Sequence, residues 1–223
     1  MLKFSYKTTV NLEKSEKERT VTIMIGKKIA VLGGGNGAHA MAAELALKGH
    51  SVNMYEMPRF RDRMRKVFET GKITAKGVFQ GEAKLNMVTD DIEKAVEGCL
   101  YICLVSPAFA HADYAKLLKG KLKKDQIVVT YPGAFSALVL KQEFTDDPEC
   151  PVFADANNLP YDARLTEPGS DVVNVFGRNP INIAFLPAEK GSEFIQQMRE
   201  DLFPFEKVYR DVLECGLAIV NPD

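Results

Sequence analysis

The sequence contains no tryptophan and only three histidines, His39, His50 and His111, which leaves few imidazoles for acid–base or metal chemistry. Its four cysteines, Cys99, Cys103, Cys150 and Cys215, form no Cys-x-x-Cys pair and share no metal-ligand spacing with those histidines. That pattern excludes the common zinc and dithiol sites, and no metal site is expected. Cys99 and Cys103 flank an apolar run, the setting of buried reduced thiols, so a reducing cytoplasm is the expected compartment. An excess of charge is also absent: 29 Lys and Arg against 30 Asp and Glu leave a net charge of −1. Nucleic acid is therefore not an expected partner, because its binding takes a concentrated basic surface. The local basic runs RFRDRMRK and KGKLKK read as solvated helix faces. No apolar run reaches the roughly 18–20 residues that cross a bilayer, so no membrane partner is expected. The charged stretch NLEKSEKERT interrupts the N-terminus where a signal peptide needs an apolar core.

What is present begins at Lys28, where short apolar runs alternate with helical patterns. KIAVLG, SVNMYE, LYICLVS and QIVVTYPG read as strands, three of them apolar enough for burial on both faces. Between them, Ala38, Met41, Ala42, Leu45 and Ala46 recur at helical spacing, and Gly49 stands where a helix ends. PRFRDRMRKVFETG predicts a polar second helix, DIEKAVEGC a short one capped by Asp91, PAFAHADYAKLLKGKL and AFSALVLKQEF two more. Residues 72–89 are glycine-broken and alternating, as strands that carry the chain across an edge. PVFADA, VVNVFGR and INIAFLPA continue strand-rich, before the helix GSEFIQQMRED. Strands separated by helices call for right-handed parallel crossovers. The expected fold is α/β, a Rossmann-type doubly wound and mostly parallel sheet over residues 27–210. Residues 1–26 read as a peripheral leader, either a marginal hairpin or an extension ahead of a start at Met24.

Three consecutive glycines, Gly33, Gly34 and Gly35, follow the first strand and are followed by Asn36, Gly37 and Ala38. Read as G-x-G-x-x-G/A, the marked positions are Gly33 for the tight turn, Gly35 for close approach to a pyrophosphate, and Ala38 for close helix packing. A phosphate would then meet the unpaired amides at the helix start. Glu56 ends the second strand, 21 residues after Gly35, where a carboxylate accepts from ribose hydroxyls and repels a 2′-phosphate. NAD is the expected cofactor; NADP stays possible because Arg59 and Arg61 stand close behind. A methyltransferase site also uses a glycine loop, but carries an acid just before it, which IAVLGGG lacks.

At VLGGGNGAHA, LVSPAFAH and NNLPYDAR the sequence resembles the opine (octopine and nopaline) dehydrogenase family, from about Lys28 to its end. The resemblance implies reductive condensation of an α-keto acid with an amino acid, NAD(P)H reducing the imine. It also implies that Ser106, Pro107, Ala108 and the segment Tyr131, Pro132, Gly133 lie along the cofactor near the nicotinamide. His111 is a candidate for contact with the keto-acid carboxylate, or a first-turn histidine that packs against its loop. His39 and His50 read as structural. Asn157, Asn158, Tyr161 and Arg164 are expected in a loop after PVFADA, and Asn157-Asn158 replaces the family's acid–threonine pair, which puts a role for them in doubt. By the same resemblance, an acid–base histidine and an all-helical substrate domain follow the Asn221-Pro222 segment. Residues 211–223 are thus expected to start an interdomain helix, and no catalytic residue is assigned.

Those expectations suggest a cofactor-binding domain that is incomplete as a catalyst alone, completed by a second chain or working within a homo-oligomer. Two alternatives stay open: a ketopantoate or glycerol-3-phosphate reductase-like domain, and a non-catalytic NAD(H)-binding regulatory module.

Overall fold

The computed structural model describes residues 26–218; the leader reading of 1–26, apart from Gly26, and the last residues of the interdomain helix lie outside them. Four parallel strands come from the apolar runs: β1 (Lys28–Leu32), β2 (Ser51–Tyr55), β6 (Tyr101–Leu104) and β7 (Ile127–Thr130). With β5 (Met87–Thr89), β8 (Val152–Ala156) and β11 (Ile183–Leu186) they build a seven-stranded sheet of order β11-β8-β7-β6-β1-β2-β5. Every pairing in it is parallel except β11 with β8. The strand order reverses around β1, which sets β2 to one side and β6 to the other, and a crevice opens there at the carboxyl ends.

Helix α1 (Asn36–Leu47) crosses from β1 to β2 and is buried along nine consecutive residues, Gly37 to Leu45. A helix buried all round needs a layer on each side. The second layer is a four-stranded sheet of order β4-β3-β10-β9, from β3 (Lys72–Gly77), β4 (Gly81–Lys84), β9 (Tyr161–Leu165) and β10 (Val172–Arg178). Ala38, Ala40, Ala42 and Ala43 share one core with Ile73, Ala75, Ala83, Ala163, Val173 and Val175 of this sheet. Alanine lets both sheets approach the helix axis, which explains why the segment is so poor in large side chains. The buried Glu44 faces the same layer. Burial by itself would raise its pKa, but it is held below the usual range by Arg178, by the Tyr161 hydroxyl that donates to it at 2.6 Å, and by Lys48.

The other face of the large sheet is covered by α3 (Ile92–Val96), α4 (His111–Leu118) and α5 (Ser136–Glu143), whose buried residues join Ala30, Leu32, Ile102, Leu104 and Val128 in a second cluster. Helix α6 (Lys190–Asp201) follows β11, and α7 (Val212–Leu217), capped by Asp211, follows it.

Several local expectations are corrected. The segment 58–71 is not one helix: a 3-10 stretch, Pro58–Met64, precedes α2 (Arg65–Thr70). Only Met64 and Val67 are buried there, so no apolar stripe holds a continuous α-helix. The helix expected from Pro107 opens with a 3-10 turn, Ala108–Ala110, and that expected from Ala134 starts at Ser136 because Ala134 and Phe135 take positive φ. Tyr161 and Arg164 are not in a loop; both lie on β9, whose pairing with β10 is long-range.

Candidate functional site at the switch point

The turn from β1 into α1 is set by close contacts. Gly33 has φ 125, and a Cβ there would lie 2.2 Å from the Val105 carbonyl oxygen at the end of β6, so only glycine fits. At Gly35 a Cβ would meet nothing within 4 Å. Its lack of a side chain is therefore not required by packing among the described residues. Gly35 is the N-cap of α1, yet the helix start has no side-chain cap and no acid in its first turn. Asn36 does not cap it; its Oδ1 accepts from the Leu165 amide at 2.9 Å and ties α1 to β9. Gly37 and Ala38 are buried, Gly37 under Leu159.

Glu56, 3% exposed, sits against this turn. Its Oε2 accepts from the Gly34 amide at 2.9 Å and its Oε1 from the Met57 amide at 2.8 Å, with the Tyr114 hydroxyl at 3.4 Å. Burial raises its pKa, against the pull of the two amides and the Arg63 charge. Beside it a cavity of about 480 Å³ opens between Met57, Pro58 and Arg59 and the α4 side chains Asp113, Lys116 and Leu117. Arg59 pairs with Asp113 and Arg61 with Asp90.

Across the crevice, Ser106 stands two residues past the end of β6, and its buried hydroxyl has no partner among the described residues. Pro107, Ala108 and Phe109 are exposed, Phe109 by 87%. His111 turns inward: its Nε2–H donates to the Ser106 carbonyl at 3.1 Å, and burial lowers its pKa. The ring thus holds its own loop. Tyr131 and Gly133 follow β7 through backbone bonds to Leu104 and Ala156, and leave Pro132 half-buried between them. Gly33 to Ala38, Glu56, Ser106 to Ala108 and Pro132 all lie at the carboxyl edge of β1, β2, β6 and β7.

The remaining sequence candidates are occupied by the fold. Asn157 accepts from the Asn182 amide and donates to the Ala218 carbonyl, and Asn158 accepts from the Leu159 amide. Arg164 bonds the Ala163 carbonyl, while the Nδ1 of His50 accepts from the Lys27 amide. Two residues escaped sequence reasoning. Tyr114 stands three positions after His111 on the buried stripe of α4, a signal that was present. Asp155, fully buried, accepts from the Ser136 hydroxyl at 2.7 Å and the Ala137 amide at 3.0 Å, and no local pattern marks it. Burial pushes its pKa up to about 6, against the hydrogen bonds from Ser136 and Ala137. Among the described residues no group of three or more His, Cys, Asp or Glu is placed to hold a metal, and no helix is long and apolar enough to cross a membrane.

Residues 28–137 match the family model of the NAD-dependent glycerol-3-phosphate dehydrogenase N-terminus. The opine dehydrogenase of Arthrobacter sp. (strain 1C) is 31% identical over 198 residues, covering 87% of this chain and 54% of that protein. The octopine dehydrogenase of Pecten maximus is 28% identical over 214 residues, covering 87% and 53%. A solved octopine dehydrogenase with NADH and L-arginine superposes with a TM-score of 0.71 at 22% identity, over 85% of this chain and 50% of that one. The chain thus spans about half the length of the relatives it matches. Its fold is shared with octopine dehydrogenase, and by sequence the chain belongs to the opine dehydrogenase family, as an NAD-binding dehydrogenase domain.

Proposed function

We propose that the dinucleotide lies across the switch point with its diphosphate over Gly33, Gly34, Gly35, Asn36, Gly37 and Ala38. The adenosine ribose meets Glu56, the adenine enters the cavity behind Met57 to Arg59, and the nicotinamide runs along Ser106, Pro107, Ala108 and Pro132. One observation carries this reading: the α1 start is bare of any capping side chain while open space surrounds Gly35. Amides at such an end attract an anion. The residues fit the cofactor, because the glycine turn is open at Gly35 and a carboxylate stands beside it at the end of β2. NAD is preferred over NADP: the Glu56 charge opposes a 2′-phosphate, and Arg59 and Arg61 are already paired with Asp113 and Asp90.

In this reading the chain is the cofactor-binding part of an enzyme that condenses an α-keto acid with an amino acid and reduces the imine. NADH supplies the hydride when bound. The residues of this chain orient it: the α1 amides hold the diphosphate, Glu56 the ribose, and the Ser106–Ala108 turn one face of the nicotinamide. Proton delivery is not assigned to this chain, since His39, His50 and His111 are 0%, 9% and 2% exposed. In this reading a second chain or a second copy supplies the rest of the site. The compartment is the cytoplasm, consistent with four free cysteines.

The test has two parts. Fluorescence titration of the purified chain should give clearly tighter binding of NADH than of NADPH; the reverse order overturns the cofactor assignment. NADH oxidation with pyruvate and a panel of amino acids should be negligible for the chain alone, and robust turnover refutes the incomplete-catalyst reading. A glycerol-3-phosphate-type reductase, favoured by the family match over 28–137, would instead oxidise NADH with dihydroxyacetone phosphate.

A further inference from the structure

The three consecutive glycines give the turn the loosest backbone in the chain, and glycine loses more conformational freedom on ordering than any other residue. An anion cradle works only if its amides already point at the ligand. Something must therefore clamp this turn. On one side Glu56 takes the Gly34 amide. On the other, the Gly35 carbonyl accepts twice from His39, from its backbone amide at 3.1 Å and from its ring Nδ1 at 2.9 Å.

We propose that His39 is a positioning residue for the diphosphate turn: its Nδ1–H fixes the Gly35 carbonyl, and so aims the first amides of α1 outward. The inference rests on the dinucleotide reading above. A carbonyl oxygen only accepts, so the bond requires the hydrogen on Nδ1 and leaves Nε2 as a bare acceptor. That Nε2 is buried, in a residue of 0% exposure, and has no partner among the described residues. An unpaired buried acceptor costs stability. A residue needed only to fill the space between α1 and its neighbours would be better as leucine or methionine. Holding the ring at that cost is explained by the bond its other nitrogen makes. Burial also pushes the His39 pKa down to about 4, with the Gly35 bond opposing it, so the ring is neutral and its donor stays in place near neutral pH.

Two substitutions separate clamping from packing. His39→Leu keeps an apolar filling but removes the donor. His39→Asn places an amide NH₂ where the ring Nδ1 stands, and so preserves the donor. We expect His39→Leu to bind NADH about tenfold more weakly, with a melting temperature equal to or above that of the unmodified chain. His39→Asn should recover NADH affinity to within about threefold. A residue serving structure alone would show the opposite pattern, affinity falling only in step with stability. Wild-type-like NADH affinity in His39→Leu overturns the inference, as does a folded His39→Asn that binds no better than the leucine variant. If His39→Leu does not fold, the asparagine variant decides: retained affinity supports the clamp and lost affinity overturns it. An unmodified chain that binds no NADH overturns the dinucleotide reading and this inference with it, whereas normal binding by the parent and by His39→Leu overturns this inference alone.

Discussion

Helices α1 and α5 start at the same edge of the same sheet, each after a parallel strand and a glycine-containing turn, yet their first turns are treated in opposite ways. The α5 turn is closed from within: Asp155, on the neighbouring strand β8, takes the Ser136 hydroxyl and the Ala137 amide. The α1 turn has no side-chain cap and no acid in its first turn, and Gly35 faces open space. Shorter helices follow the α5 pattern, with Asp91 capping α3 and Asp211 capping α7. Carboxylates thus close three helix starts, whereas α1, like the much shorter α2, has neither a side-chain cap nor a first-turn acid, and α1 is the longest crossover helix. In the proposed reading, the α1 start is the end that meets a negatively charged group from outside.

The comparison breaks most sharply if the α1 start is given its own acid. Gly35→Asp has room for the side chain and an ordinary φ of −84. It should weaken NADH binding by about a hundredfold or more while leaving thermal stability unchanged or slightly raised, as read by titration and melting. Undiminished affinity would mean that the bare end is not the phosphate site.

Next in size is the converse, Asp155→Asn at the closed end. The Asp155 pKa lies above its ordinary value, at about 6. The folded state therefore holds its proton more tightly than the unfolded state. The contribution of this group is fully present at low pH and is lost as pH rises to about 6, flat beyond that. The wild type should thus lose about 2 kcal/mol relative to Asp155→Asn between about pH 4 and pH 6, measured by denaturant melts at each pH. Equal slopes for the two proteins would show that Asp155 does not titrate in that window.

Glu56→Gln sharpens the cofactor side. The amide oxygen still accepts from the Gly34 amide, which keeps the turn, while the bond from the Met57 amide and the charge that opposes a 2′-phosphate are lost. NADH affinity should fall about fivefold to tenfold and the preference over NADPH should narrow; an unchanged ratio would remove Glu56 from cofactor selection. Smallest is Asp91→Ala at the capped start of α3, expected to cost about 1 kcal/mol of stability with no change in NADH affinity. A loss of affinity there would mean that helix capping and cofactor binding are coupled.

Much of the fold was legible because its strands are buried on both faces and so appear as unbroken apolar runs: IAVL, YICL and IVVT became β1, β6 and β7. The Asp91 cap and the Gly49 helix stop were equally local, and both stand where the sequence puts them. What was not legible depends on distant partners. Nothing in residues 72–84 says that they pair with 172–178, or that the second sheet so formed buries the far side of α1. The break at Met64 reflects the lack of a surface for a longer helix to cover, and Tyr161 and Arg164 were misplaced because β9 exists only through β10. Asp155 and Tyr114 entered the site by the same route, through neighbours far away in the chain.

Taken alone, the order of residues determined the parallel α/β plan, the three-glycine bend, and the acid that closes the second strand, since each follows from short-range periodicity and backbone sterics. Tertiary structure decided which amides are left unpaired. It turned Glu56 onto Gly34 and His39 onto Gly35, because a hydrogen bond is settled by the positions of atoms that packing alone brings within reach.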